Sequence, residues 1–241
     1  MASDSHRRAS QEAKHLDLEV NEDGDMLGAS PFTVLVLSCN CIGRWGFGTA
    51  TRFAARFPSV HKRYWQHCNP VLSDDKSAWI AGPDSHKLLG TALLIPPNDE
   101  CEYWIACLFT SIYYKLEQRD PDEMILVNTA KAMMDMLQQI CAIELRNLKG
   151  GPTGLGGVAE EVKLPTIGEL VTNKISSIGF EVAWDKTEAV LKGLTLKQGM
   201  RKVLHVYTKK FDDEEVPKID GLDPERHFYN KKVVQTPKGL N

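Results

Sequence analysis

Ser38, Cys39 and Asn40 are followed by glycines at 43, 46 and 48 and then by Thr49, and this short stretch holds most of the residues whose types and spacing could do chemistry. A glycine loop that feeds a helix leaves backbone N–H groups unpaired at the positive end of the helix dipole, which suits phosphate. A plain tight strand-to-helix turn would use the same glycines, so a phosphate-bearing ligand and a bland turn stand as equal readings of this loop. Three phosphate chemistries fail on spacing. A dinucleotide site wants G-x-G-x-x-G and an acid about 20 positions on, whereas the order here is G-x-x-G-x-G with Arg63 at that distance. A P-loop closes on Gly-Lys-Ser/Thr, and Gly48-Thr49-Ala50 has no lysine. A cysteine phosphatase needs an arginine at a fixed distance from its thiolate. Cys39 is one residue too close to Arg44, and Cys41 has no arginine at the required position. Zinc ligation by Cys39, Cys41, His67 and Cys68 matches no common ligand spacing, so no metal and no cofactor is assigned.

The elements that must position this loop can be read around it. Thr33, Val34 and Val36 lie in an apolar run that predicts a buried strand, and Ala50, Phe53, Ala54 and Phe57 recur at helical spacing until Pro58. A second helix is predicted over 60–68. Strands are expected over 88–95, stopped by Pro96-Pro97, and over 103–110, a run so continuously apolar that both faces should be covered. Residues 122–148 carry the longest helical period, ending at Gly150-Gly151-Pro152, with methionines that read as core. A small-residue turn at 176–179, a helix over 186–194 and a strand over 202–208 complete the pattern, with His205 a packed strand residue. A short edge strand is expected at 16–20.

Strands alternating with helices predict a three-layer α/β/α domain with a mixed central sheet. Ligands in such sheets bind beyond the carboxyl ends of the strands, where the 43–48 loop would lie. The chain has 241 residues, 42% hydrophobic and 25% charged, enough for one core over 16–208, with a polar tail at 1–15 and a charged extension at 209–241. A net charge of −3 gives no footprint for nucleic acid, and no apolar run is long enough to span a membrane. Six cysteines without C-x-x-C pairing and a polar N-terminus without a leader predict reduced thiols in an intracellular protein, cytoplasmic or nuclear. A monomer is expected.

The stretch LSCNCIGRWGFGTATRFAARFPSVHKRYWQHC resembles the first ligand loop of macro domains, specifically of the fungal ADP-ribose 1''-phosphate phosphatases, whose pattern is close to H-S-C-N-x-x-G-x-W-G-x-G-I-A. LGTALLIPP, YWIACLFTS and KISSIGFEVAWDKTEAVL resemble that family's next two strands and second ligand loop. The resemblance implies a macro-like domain that binds ADP-ribose or its 1''-phosphate and removes that phosphate. A catalytically weak domain that reads ADP-ribose or ADP-ribosylated protein is the alternative. It further implies that Asp25, with Met26, takes the adenine amino group, and that Asn40 holds the distal ribose and is the candidate catalytic residue. Ser38, Cys39, Gly43, Trp45, Gly46, Phe47, Gly48 and Thr49 would then cradle phosphate, and Ser176, Ser177, Ile178, Gly179 and Phe180 would form the second wall. Two departures bear on activity. The family's leading His is Leu37 here, which removes a candidate acid/base, and Glu181 stands where the second loop has a glycine. The lysine and aspartate used by the ADP-ribosyl-glutamate hydrolase branch are absent at Ser111 and Phe180, so that activity is not expected.

Overall fold

The computed structural model describes residues 14–46, 49–70, 84–114, 118–149, 164–177 and 179–208. The elements in chain order are β1 (Lys14–His15), β2 (Asp17–Asn21), β3 (Val34–Asn40), α1 (Thr49–Arg56), α2 (Pro58–Cys68), β4 (Ala92–Ile95), β5 (Trp104–Ser111), α3 (Asp122–Lys149), β6 (Leu170–Thr172), α4 (Trp184–Lys192), β7 (Thr195–Leu196) and β8 (Val203–Tyr207). Six strands form one mixed sheet in the order β2-β8-β6-β3-β5-β4, parallel except for β4, which runs antiparallel to β5. β1 and β7 make a separate antiparallel pair.

The period of two along β3 divides the core. Leu35, Leu37 and Cys39 pack with Ile105, Cys107 and Phe109 of β5 against Phe53 of α1 and Val60 and Tyr64 of α2. Val34 and Val36 join Trp104, Ala106 and Leu108 on the opposite face, against Ala132, Met133, Met136, Leu137 and Ile140 of α3 and Leu191 of α4. Every residue of β5 is buried, as a strand covered on both faces requires. The result is three layers, with α1 and α2 on one side and α3 and α4 on the other.

Two expected bounds are corrected. The strand expected over 88–95 is only Ala92–Ile95, because Ser85–Leu88 closes a 3₁₀ turn and Gly90 takes φ +75, which breaks the extended run. The helix expected from 186 starts at Trp184, on Ala183. Pro58 opens α2 rather than only ending α1, since a proline at the first helical position loses no intrahelical bond. Of the methionines, 133 and 136 are core and Met124 is half exposed. His205 is a strand residue whose Nδ1 faces Glu19 across the β8–β2 pair at 3.2 Å. The 150–157 loop, much of the 69–87 loop and the expected extension at 209–241 lie outside the described residues.

Strand order fixes where a ligand fits. From β3 the chain leads through α1 and α2 to β4 and β5 on one side, whereas from β6 it leads through α4 to β8 on the other. The loops after β3 and β6 therefore diverge in opposite directions from neighbouring strands, which opens a crevice at their carboxyl ends.

Candidate functional site

The first loop leaves β3 through a register shift between Cys39 and Asn40, and the side chains of its motif hold it in place. Asn40 is buried, and its Oδ1 accepts from the Ile42 N–H at 3.2 Å, the Arg44 N–H at 3.0 Å and the Tyr64 hydroxyl at 3.1 Å. Its Nδ2 donates to the Arg44 carbonyl at 2.5 Å, and one amide hydrogen remains. The same Tyr64 hydroxyl hydrogen is shared with the Asn40 carbonyl, the nearer acceptor at 2.6 Å, so α2 grips the strand end through one three-centred bond. Gly43 has φ +78, and a Cβ there would sit 2.9 Å from Asn69 Nδ2 and 3.0 Å from the Trp65 Cα. Only glycine tolerates both that conformation and that approach.

Trp45 is a core residue. Its ring stacks on His61 at 5.3 Å and on Tyr64 at 5.2 Å, and its Nε1 donates to Cys39 Sγ at 3.4 Å. Burial lowers the His61 pKa to about 4, against a smaller opposing effect of the Gly43 backbone, so the ring is neutral near pH 7. Burial also pushes the Cys41 and Cys68 thiols far up, which leaves neither as a thiolate nucleophile.

The second loop is linked to the first. Thr172 Oγ1 donates to the Val36 carbonyl at 2.9 Å, and the Ser176 N–H donates to Ser38 Oγ at 3.2 Å. Ser176 is buried at φ +65, and its hydroxyl and that of Ser177 are enclosed without a partner among the described residues. Glu181 is exposed at φ +54. Phe180 is buried with Ile125 and Val182, and Tyr114 packs on that small cluster.

Asp25 follows Gly24, where a Cβ would meet the Tyr207 ring at 2.5 Å, so Asp25 starts at the carboxyl end of β8. Its Oδ1 caps the following 3₁₀ turn by accepting the Leu27 N–H at 2.9 Å. The structure thus joins the two loops at Ser38 and Ser176, with Asp25 at the strand-end side of β8. Four expected site residues, Met26, Cys39, Trp45 and Phe180, have their side chains in the core, which leaves their backbone for a ligand. Phe47, Gly48 and Ile178 lie outside the described residues, as does the Thr49 side chain. Leu37 also faces the α1/α2 core, 3% exposed, so the departure at that position exchanges a buried side chain. Tyr64, Asn69 and His61 escape sequence reading. Val60, Tyr64 and Cys68 step at four along the buried face of α2, a period that marks burial but not the partner of a buried hydroxyl.

A mixed sheet between two helical layers, with a glycine loop and a serine-rich loop meeting at its switch point, is a macro-type α/β/α domain. A protein of Debaryomyces hansenii named ADP-ribose 1''-phosphate phosphatase is 36% identical over 172 residues, spanning 67% of this chain and 83% of that one. One of the same name from Scheffersomyces stipitis is 33% identical over 184 residues, spanning 70% and 90%. The chain belongs to the ADP-ribose 1''-phosphate phosphatase family. Among solved structures, the macrodomain of Mycobacterium tuberculosis DarG aligns with a TM-score of 0.46 at 16% identity, covering 80% of this chain and 99% of that chain. No protein-family model matches the sequence. Among the described residues, no helix is long and apolar enough to cross a membrane.

Proposed function

We propose that the chain removes the 1''-phosphate of ADP-ribose 1''-phosphate to give ADP-ribose. Two buried serine hydroxyls without partners among the described residues, in a loop linked to Ser38 at the end of β3, are the observation that carries this reading. A buried hydroxyl left unpaired costs free energy that an incoming phosphate oxygen recovers. In this reading the Ser176 and Ser177 hydroxyls donate to the diphosphate, with Ile178, Gly179 and Phe180 continuing that wall. The backbone from Gly43 to Thr49 cradles phosphate, and Asp25 takes the adenine amino group on Oδ2 while Oδ1 keeps its cap. Asn40 offers the distal ribose its remaining amide hydrogen and holds the loop with the rest.

Hydrolysis passes the phosphoryl group to water. The water oxygen bonds to phosphorus, the bond from phosphorus to the 1''-oxygen breaks, and that oxygen leaves on ADP-ribose carrying a proton. Cys39 is tied to Trp45 and Cys41 is held as a thiol, so water attacks directly. Acceleration then comes from holding water and phosphorus in line and from backbone donors facing the developing charge, and slow turnover is expected. A second reading, an ADP-ribose reader without turnover, is favoured by one observation. The nucleophilic and acid–base side chains described in the first loop are engaged in packing or in bracing that loop.

Phosphate release from ADP-ribose 1''-phosphate, measured beside calorimetry with ADP-ribose, separates the two. Turnover supports the phosphatase, and binding of ADP-ribose without release selects the reader. Asp25→Asn keeps the cap and should weaken ADP-ribose binding about tenfold, since a hydrogen bond to a charged acceptor is worth roughly 1.5–3 kcal/mol. Unchanged affinity in that variant removes adenine recognition by Asp25.

A further inference from the structure

Arg119 lies in the loop between β5 and α3, and its guanidinium is bonded on one side only. Nη1 donates to the Asp122 carboxylate at 2.7 Å and to the Asp120 carbonyl at 3.2 Å, whereas Nε is buried without a hydrogen-bond partner. A buried N–H of a charged group costs free energy while it is unpaired. The Nε–H points the same way as one Nη2–H, so this edge is shaped for an acceptor with two oxygens, such as phosphate. The side chain is 16% exposed, which leaves it within a ligand's reach. Its neighbours tie it to both ligand loops. The Asp120 carboxylate accepts the Ser111 hydroxyl at 2.8 Å and the Ile112 N–H at 2.7 Å, and the Ser111 carbonyl in turn accepts the Cys41 N–H of the first loop at 3.0 Å. On the other side, Asp122 Oδ2 lies 3.5 Å from Lys186 Nζ, in the first turn of α4 just after the second loop. Asp122 thus has two cations, and the charge of Arg119 is only partly spent on it.

Strand order says which part of a ligand reaches this edge. In the reading above, adenine lies at the end of β8 and the diphosphate between the loops after β6 and β3, so the ligand runs along the order β8-β6-β3. The next strand is β5, and the distal ribose arrives at its carboxyl end. Three strand spacings of about 4.8 Å make roughly 14 Å, a span that an extended nucleoside diphosphate with a second ribose covers. We propose that Arg119 is the specificity-determining residue for the terminal phosphomonoester, pairing its Nε–Nη2 edge with the 1''-phosphate and so favouring ADP-ribose 1''-phosphate over ADP-ribose. The inference rests on the phosphatase reading above and adds to it a group that tells substrate from product. A phosphomonoester carries close to two negative charges at pH 7, whereas the product presents a neutral hydroxyl at the same place. A cation there acts on one ligand and not on the other. The diphosphate is common to both, and the small-residue loops answer to it.

The test compares two ligands on one protein. The Kd of ADP-ribose 1''-phosphate and that of ADP-ribose are measured by calorimetry at low temperature for the parent, Arg119→Gln, Arg119→Lys and Asp122→Asn, together with the melting temperature of each. Arg119→Gln should weaken the phosphorylated ligand by about ten- to a hundredfold while changing ADP-ribose less than about threefold, the range expected for loss of a charge-assisted bond. Arg119→Lys should recover part of the preference. Asp122→Asn breaks the ion pair and keeps the cation, so it should melt lower and still prefer the phosphorylated ligand. Raising the salt from about 50 to about 500 mM should erode the preference of the parent and leave that of Arg119→Gln flat. The assignment is overturned if both ligands weaken by the same factor in Arg119→Gln, if the preference persists there, or if Asp122→Asn loses it equally; Arg119 then only braces the start of α3. A parent that binds neither ligand overturns both readings. A parent that shows the Arg119-dependent preference and releases no phosphate upholds the assignment and overturns the phosphatase reading alone, so the two ideas fail separately.

Discussion

Asn40 shows how a residue expected to meet a ligand can at the same time hold the protein together. Three donors converge on its Oδ1, and truncation would leave the Ile42 and Arg44 N–H groups without that acceptor, while the Tyr64 hydroxyl keeps the Asn40 carbonyl. Buried unpaired donors cost roughly 1–3 kcal/mol each, so Asn40→Ala should lower unfolding stability by about 2–4 kcal/mol as well as abolish turnover. Urea denaturation checks this, and a variant that loses activity at full stability would mean that Asn40 acts on the ligand alone. Leu37 makes the complementary case. Placing the family's His there sets a polar ring among Leu35, Cys39 and Phe109, so Leu37→His should destabilise by roughly 2–4 kcal/mol with no gain in phosphate release. A faster enzyme of parental stability would show that the side chain can turn out of the core.

At the scale of elements, the two loops are built by different means. The first is braced from α2 by Tyr64 and Asn69 and depends on glycine at 43. The second carries left-handed backbone on Ser176 and Glu181, residues with a Cβ, and leaves Gly179 in open space with nothing within 4 Å of an added Cβ. A left-handed position costs an L residue roughly 1–2 kcal/mol, and glycine adds roughly 0.5–1 kcal/mol of chain entropy. Glu181→Gly should therefore raise stability by about 0.5–1 kcal/mol. The same change removes a carboxylate from beside the proposed diphosphate wall and should tighten ADP-ribose binding. Thermal melts and calorimetry on one preparation read both effects, and a lower melting temperature would show that Glu181 has a stabilising contact of its own.

For the molecule as a whole, pH couples the ligand loop to global stability through His61. Its ring is buried against Trp45 and its pKa is lowered to about 4, chiefly by burial, while an unfolded histidine titrates near about 6.5. Below that higher value the unfolded chain binds the proton first, so stability falls as pH drops from about 6.5 to about 4 and levels below. The contribution reaches up to about 3 kcal/mol. Denaturation midpoints across that window should decline in the parent and flatten in His61→Gln. Equal slopes in the two proteins would remove His61 as the source. Because Trp45 rests on this ring, ligand affinity should weaken over the same window.

The sequence by itself determined the layers and the elements that carry the site, because periods of two and near four are local properties of residue order. The apolar runs of β3 and β5 marked strands covered on both faces, and the long period of α3 fixed the face it buries. The motif from Ser38 to Gly48 likewise marked the loop. Only the tertiary structure decided what those letters do. Burial against α2 makes Trp45 and Cys39 core residues, and Tyr64, 24 positions after Asn40, turns that amide into a brace. The link from Ser38 to Ser176 spans 138 positions, and Arg44 meets Tyr114 across 70. Contacts of that kind depend on strand order and on which loops the switch point brings together, and no local period encodes them.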